Sequence, residues 1–336
     1  MKQYRLEKAA DGYNLASREV PVPAPGPREV LVRVRACSLN RRDVMVLRGQ
    51  YGGGDTTGRI PLSDGAGEVA AAGAKVTRFK PGERVAATFF QRWNDGKPTR
   101  ETLASSLGGA IDGMLSEYVV LQEDGLVRLP EHLSFAEGST LPCAGVTAWN
   151  GLFTRGGLKS GDTVLLEGTG GVSIFGLQFA VASGARAIIT SSSDTKLARA
   201  TSMGAWRTVN YQAHAEWDKA VRALTEEAGV DHVLEVGGAD TLPRALACLG
   251  FDAHLAYIGG LTGWTGQLPI AMLSGRNARV SGILVGSRAD FEAMNAFVTR
   301  HALRPIIDRT FTFDAAEEAY RHMEAGSHFG KIVIEL

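Results

Sequence analysis

Between residues 163 and 285 the hydrophobic positions fall in short runs separated by longer amphipathic stretches. The runs at 163–166, 187–190, 230–236, 253–258 and 280–285 read as buried strands, and the stretches at 194–203 and 240–247 as helices. Strands that alternate with helices in this way build a parallel sheet with helices on both faces. The predicted fold class is α/β, with a doubly wound parallel sheet of Rossmann type. The first 125 or so residues have a different texture. Segment 29–35, EVLVRVR, alternates apolar and charged side chains as a half-buried strand does. Pro21, Pro23, Pro25 and Pro27 hold its approach extended and unable to pair. Further strands are predicted at 68–72, 84–89 and 113–121, with 91–109 as a surface loop, which together make an irregular, barrel-like β domain. Ser134 and Glu137 have capping-box spacing, so a helix is predicted from Ser134. After Ala289 come a helix, a strand near 310–313, a second helix and the strand KIVIEL. They break the rhythm and are predicted to return to the first domain. The expected domains are 1–127 with 289–336, and 128–288.

The first strand of the α/β half runs into Gly168-Thr-Gly170-Gly171-Val172-Ser173 and then a proline-free apolar stretch. A tight turn of this kind aims backbone N–H groups and the positive end of a helix dipole at one point, which suits a pyrophosphate. Ser173 stands where G-x-G-x-x-G has its third glycine, and a small residue still lets helix and strand approach. Glycine turns without a ligand are common, so the alternation on both sides carries the assignment to a dinucleotide. The end of the next strand selects among dinucleotides. NAD requires an Asp or Glu about 20 residues past the loop. Here the strand ends in Ser191-Ser192-Ser193, with Lys196 and Arg199 following. Hydroxyls in place of a carboxylate remove repulsion toward a 2′-phosphate, so NADP(H) is the expected cofactor. The alternative is that Ser192 or Ser193 caps the next helix, or that Asp194 takes the ribose.

Composition narrows the partners. Lys plus Arg and Asp plus Glu number 36 each, which recommends neither nucleic acid nor an anionic membrane. The three cysteines, Cys37, Cys143 and Cys248, are odd in number and far apart, which argues against a disulfide framework and for a reducing compartment. No apolar window reaches transmembrane length and the N-terminal stretch is unlike a signal peptide. A cytoplasmic protein with a small-molecule substrate is expected. The 41 glycines in 336 residues exceed the usual ~7% and mark many tight turns.

The segments VLVRVRACSLNRRD, LRGQYG, PLSDGAGEV, GERV, LPCAGVTAW, LLEGTGGVSIFGLQFA, SSSDTKLARATSMGA, VNY, GILVGSRADFEAM and HFGKIVIEL resemble the medium-chain dehydrogenase/reductase superfamily. The similarity is to its branch of quinone oxidoreductases and zinc-independent alcohol dehydrogenase-like reductases, and it runs from Val30 to Leu336 in the family's order. It implies a GroES-like barrel for the first domain. Zinc-binding members carry three catalytic ligands. The corresponding positions here are Asn40, then Ser63 followed by Asp64, then Cys143, and the region of the family's structural zinc, 91–111, has no cysteine. One thiol does not hold Zn²⁺, which takes three or four protein ligands. No metal is expected at either site.

Without zinc, hydride transfer to a carbonyl loses its Lewis acid, and a quinone or a double bond conjugated to a carbonyl becomes the easier acceptor. The resemblance implies Tyr51 as a proton donor, with a packing role as the alternative, and Asn40 as an orienting group for a substrate oxygen or the nicotinamide ribose. Arg42 stands where zinc-dependent members place a hydroxyl relay, and a guanidinium does not shuttle protons. Asp43 is expected to pair with a nearby base. Thr147, Tyr211, Gly259, Leu284 and Val285 are implied along the cofactor, as are Phe329 and Lys331 from the returning segment, for which strand packing and a solvated lysine are the alternative. Residues 279–285 are expected at the sheet edge, where an apolar edge is usually covered; a homodimer through that strand follows.

Overall fold

The computed structural model describes residues 1–52 and 54–336. The chain divides into two compact units, Met1–Val146 with Gly286–Leu336, and Thr147–Val285. The first reaches past the expected 127 because the helix Phe135–Ser139 and the π-helical turn Leu141–Gly145 are bonded to its strands. Ser38 Oγ donates to Ser139 O at 3.0 Å, and the Cys143 N–H donates to Asp64 Oδ2 at 3.3 Å.

In Thr147–Val285 six parallel strands lie in the order Arg207–Asn210, Arg186–Ser191, Thr163–Glu167, Val230–Glu235, Leu249–Tyr257 and Arg279–Gly282. Counted along the chain this is 3-2-1-4-5-6, and the direction of progress reverses between Thr163–Glu167 and Val230–Glu235. Every residue of Thr163–Glu167 is buried, as helices on both faces require. The helix Gly171–Ala182 presses on the sheet at Gly176, where a Cβ would stand 2.7 Å from Leu166 Cδ2 and 2.8 Å from Leu234 Cδ1. Arg279–Gly282 is an edge strand, as expected. It ends before the predicted 285, and Val285 takes a left-handed φ of 43°.

In the other unit the strand Glu29–Leu39 organises a seven-stranded sheet. Asp64–Ala72 pairs along one edge, while Tyr118–Gln122 and Lys331–Glu335 share the other. The alternation of EVLVRVR gives way to the wholly buried ACSL at its end, where the returning strand covers it. Arg84–Ala87 and Leu126–Arg128 extend the sheet on one side and Ile307–Thr312 on the other. The C-terminal segment Gly286–Leu336 lies in the first unit. Val30, Val32, Val34, Met114, Leu126, Ile332 and Ile334 lie in its core. Segment 91–109 is not all surface loop. Gln91, Trp93 and Leu107 are buried, because the Gln91 amide turns inward to the carbonyls of Thr88 and Gly125, at 3.0 and 2.9 Å.

Candidate active site

Gly168 follows the strand Thr163–Glu167 with φ of 71°, and at both Gly168 and Gly170 an added Cβ would meet nothing within 4 Å. Gly170 has an ordinary φ of −78°, so neither the backbone nor the packing requires glycine there, and its absent side chain leaves the turn open. It caps Gly171–Ala182 without a side-chain bond, so the N–H groups of the first turn, from Gly171 and Val172 onward, face that space. This open turn fits the pyrophosphate of a dinucleotide. Ser173 is buried and its Oγ donates to Glu167 O at 2.6 Å, tying helix to strand. The close approach usually served by a third glycine falls to Gly176.

The next strand ends at buried Ser191, whose Oγ accepts from the Ser193 N–H at 3.3 Å. Ser193 Oγ accepts from the Lys196 N–H at 3.4 Å and caps Asp194–Ser202, the capping role weighed for it. Asp194 Oδ1 accepts from Asn210 Nδ2 at 2.7 Å. Ser192 is exposed, and Tyr211, itself exposed, donates its N–H to Ser191 O at 3.1 Å. Ser191, Ser192 and Tyr211 thus gather at the ends of two adjacent strands, with Lys196 on the helix that follows. Thr147 is buried. A Cβ at Gly259 would stand 2.4 Å from Val236 O. Leu284 is half-buried, and Val285 O accepts from Asn150 Nδ2 at 2.8 Å.

Sequence reasoning missed a pair of acids at the point where the strand order reverses. Glu167 and Glu235 end adjacent strands, both buried. Glu235 Oε1 accepts from the N–H groups of Gly237 and Gly238, at 3.1 and 2.9 Å, and from the Thr241 hydroxyl. Burial first, then the charge of Glu235, push the Glu167 carboxyl well above the usual carboxylate range. The available signal was a glutamate closing each of two buried strands, with a glycine one or two residues on.

In the other unit a polar cluster is buried where Glu29–Leu39 meets Lys331–Glu335. Lys331, only 2% exposed, donates from Nζ to Leu39 O and to Asn40 Oδ1, both at 2.6 Å, and stands 3.7 Å from Asp64 Oδ2. Asp64 is fully buried. It accepts from Ser63 Oγ at 2.7 Å and from the Cys143 N–H, and Ser38 Oγ, whose one hydrogen is shared with Ser139 O, stands 3.3 Å away. Asn40 begins the helix Arg41–Leu47, and its N–H donates to Asp43 Oδ2 at 2.8 Å. Arg42 Nη1 bonds Leu107 O at 2.7 Å and pairs with Asp43 Oδ1 at 3.3 Å, the partner expected for Asp43. The Arg42 guanidinium lies 4.7 Å from the ring of half-buried Tyr51 and 5.0 Å from that of Phe89. Burial raises the Asp43 carboxyl to about 6, against the pull of Arg42. Burial, then Asp64, pushes the Cys143 thiol up. Cys37 is buried and its Sγ donates to Met114 O at 3.0 Å. Phe329 is buried too, with its N–H on Asp308 Oδ1 at 3.0 Å. Lys331, expected among the cofactor contacts, spends its ammonium on Leu39, Asn40 and Asp64.

A zinc ion does not fit this cluster. The ammonium of Lys331 is the cation bound between the residues at the first and second ligand positions, and one thiol is all that the third supplies. Among the described residues no group of three His, Cys, Asp or Glu side chains is placed to hold a metal ion.

A sheet in the order 3-2-1-4-5-6 with an open glycine turn where the order reverses, together with a barrel-like unit built from both ends of the chain, defines a class: two-domain dehydrogenases that bind a pyridine nucleotide. Family models agree. One described as "Alcohol dehydrogenase GroES-like domain" matches residues 26–131, and one described as "Zinc-binding dehydrogenase" matches 171–300. A zinc-type alcohol dehydrogenase-like protein of Schizosaccharomyces pombe is 41% identical over 99% of both chains. A quinone oxidoreductase of Pseudomonas aeruginosa is 31% identical over 95% of each. The crystal structure of a putative alcohol dehydrogenase from Sinorhizobium meliloti 1021 superposes with a TM-score of 0.94 at 43% identity, covering 100% of this chain and 98% of that one. The chain belongs to the medium-chain dehydrogenase/reductase superfamily of oxidoreductases. Among the described residues no helix is long and apolar enough to cross a membrane.

Proposed function

We propose that the protein is an NADPH-dependent, zinc-independent reductase of quinones, enones or enals. The observation that carries this reading is the Lys331 ammonium lodged between Asn40 and Asp64. A cation with its hydrogens already committed to buried acceptors is no Lewis acid, so the preferred acceptor is one whose conjugation already makes a carbon electrophilic. The bound nicotinamide supplies the hydride. Gly168, Gly170, Gly171, Val172 and Ser173 hold the pyrophosphate turn, and Ser191, Ser192, Lys196 and Tyr211 receive the 2′-phosphate end. Thr147, Gly259, Leu284, Val285 and Phe329 complete the cofactor set. Asn40 donates to the acceptor's carbonyl oxygen, and Tyr51 or water returns the proton. The enzyme works in the cytoplasm as a homodimer joined through the edge strand Arg279–Gly282, where Val280 is 38% exposed.

A cofactor-oxidation screen over quinones, enones, enoyl thioesters and aldehydes tests this. NADPH consumption with the conjugated acceptors is expected. Turnover confined to simple aldehydes would make the protein an aldehyde reductase instead, and cofactor binding without any turnover would make it a non-catalytic module. Tighter binding of NADH than NADPH, or stoichiometric zinc in the purified protein, would overturn the corresponding part.

A further inference from the structure

We propose that Lys331 is a positioning residue: it fixes the Asn40 amide so that Asn40 Nδ2 is held out as the donor to the acceptor's carbonyl oxygen. The inference deepens the proposed function and rests on its reading of Asn40.

An ammonium has three donors and no acceptor, so it meets an amide only through the amide oxygen. At 2.6 Å the bond from Lys331 to Asn40 Oδ1 has the length of a charge-assisted contact. Turning the amide over would set Nδ2 against Nζ, donor against donor. The orientation is therefore dictated by chemistry, and its consequence falls on Nδ2. That nitrogen is buried, on a side chain only 8% exposed, and has no partner among the described residues. A buried amide hydrogen left unpaired is unfavourable, and an incoming oxygen relieves it. Arg42 adds two more buried nitrogens without partners, Nε and Nη2, at the start of the same helix. The cluster carries a surplus of donors. Such a surplus selects an acceptor whose oxygen gains negative charge as hydride arrives, and it stabilises that charge most as it develops.

The remainder of the cluster keeps Lys331 in place. The antiparallel register pairs Ile332 with Leu39 and so sets Lys331 beside Asn40. Asp64, held by Ser63 and the Cys143 N–H, gives the ammonium a fixed countercharge. A metal at these positions would bind the acceptor oxygen itself; Lys331 acts one residue removed, through Asn40.

Steady-state kinetics with NADPH, using naphthoquinone and cyclohexenone as probes, tests the inference on four proteins besides the native one. Asn40→Asp keeps the acceptor for Lys331 and loses the donor. Its kcat is expected to fall about a hundredfold, with the Kd for NADPH unchanged. Lys331→Met combined with Asp64→Asn frees the amide without leaving a buried charge; kcat should fall about tenfold or more, again at unchanged NADPH affinity. Adding Asn40→Ala to that pair should cause no further loss beyond that of Asn40→Ala alone. Native kcat in Asn40→Asp would sink the donor role and the proposed use of Asn40 with it. A large loss there with native kcat in the Lys331/Asp64 variant would sink the positioning role alone, as would losses that simply multiply. Should the Lys331→Met pair not fold, Lys331→Arg is the second variant. Also donor-only, it must bind Oδ1, and kcat within about fivefold of native is expected. A loss as large as that of Asn40→Ala would overturn the inference.

Discussion

Glu167 and Glu235 close two neighbouring parallel strands, and both carboxyls are buried. Glu235 has N–H and hydroxyl donors around it, while no hydrogen-bond donor among the described residues reaches either Glu167 oxygen. Burial and the charge of Glu235 therefore push the Glu167 carboxyl up. Its folded pKa is raised, so the stability it contributes is complete below the unfolded value of about 4.3 and is lost as pH climbs through the folded one. Glu167→Gln is of the same size and does not titrate. On the alkaline side its melting temperature should exceed that of the native protein by a margin that grows with pH, on the order of 2–4 °C per kcal/mol. Parallel melting curves from acid to alkali would remove Glu167 as the titrating group.

Asp43 behaves in the same sense nearer neutrality. With its folded pKa at about 6 and an unfolded value of about 3.9, its contribution is complete below about pH 4 and declines up to about pH 6. Asp43→Asn should flatten that interval of a stability-versus-pH curve measured by denaturant titration. An unchanged slope would assign the effect to another group.

Arg42 is held by charge and by stacking, and the two can be separated. Arg42→Met leaves Asp43 buried and unpaired, and a loss of about 3–5 kcal/mol is expected. Arg42→Lys keeps the charge but gives up the planar contact with Tyr51 and Phe89, and should lose about 1 kcal/mol. Urea unfolding measures both. Equal losses would show that the charge contributes nothing, and native stability in Arg42→Lys that stacking contributes nothing.

Two glycines, Gly176 on the helix that follows the turn and Gly170 within the turn, should part stability from binding. Gly176→Val drives methyls into Leu166 and Leu234, and should lose about 1–3 kcal/mol or more through overpacking. Gly170→Ala enters open space at an ordinary backbone angle. Its stability should stay within about 0.5 kcal/mol of native, while its methyl obstructs the pyrophosphate and weakens NADPH about tenfold or more. Calorimetric titration of folded Gly170→Ala decides the matter; native affinity would mean that the ligand approaches from elsewhere.

Much of the architecture was legible because it is written in local patterns. The strand and helix alternation of the Rossmann half, the capping box of Ser134 and Glu137 and the return of the C-terminal segment all follow from spacing or rhythm. The strand Arg207–Asn210 and the helix Trp217–Leu224 escaped, since RTVN is short and half polar and the helix buries only Trp217 and Val221. The hairpin Lys2–Ala9 with Gly12–Glu19 escaped for a like reason: its second strand is largely exposed. The glycine turn announced itself as a motif. Lys331 did not, because every partner that turns it inward lies far away in the chain, and a lysine before IVIEL reads locally like any solvated end of a strand.

That distance also affects how the protein is made. Asn40 and Lys331 are separated by 291 residues, and a ribosome adding roughly 5–20 residues per second needs tens of seconds to cover them. Throughout that interval the nascent barrel unit carries Asp64 without its cation and a strand, Glu29–Leu39, with half of one edge open. The whole nucleotide-binding unit emerges, and can fold, before the first can close. The enzyme's order of assembly is thus the reverse of its order of writing: the part begun first is finished last.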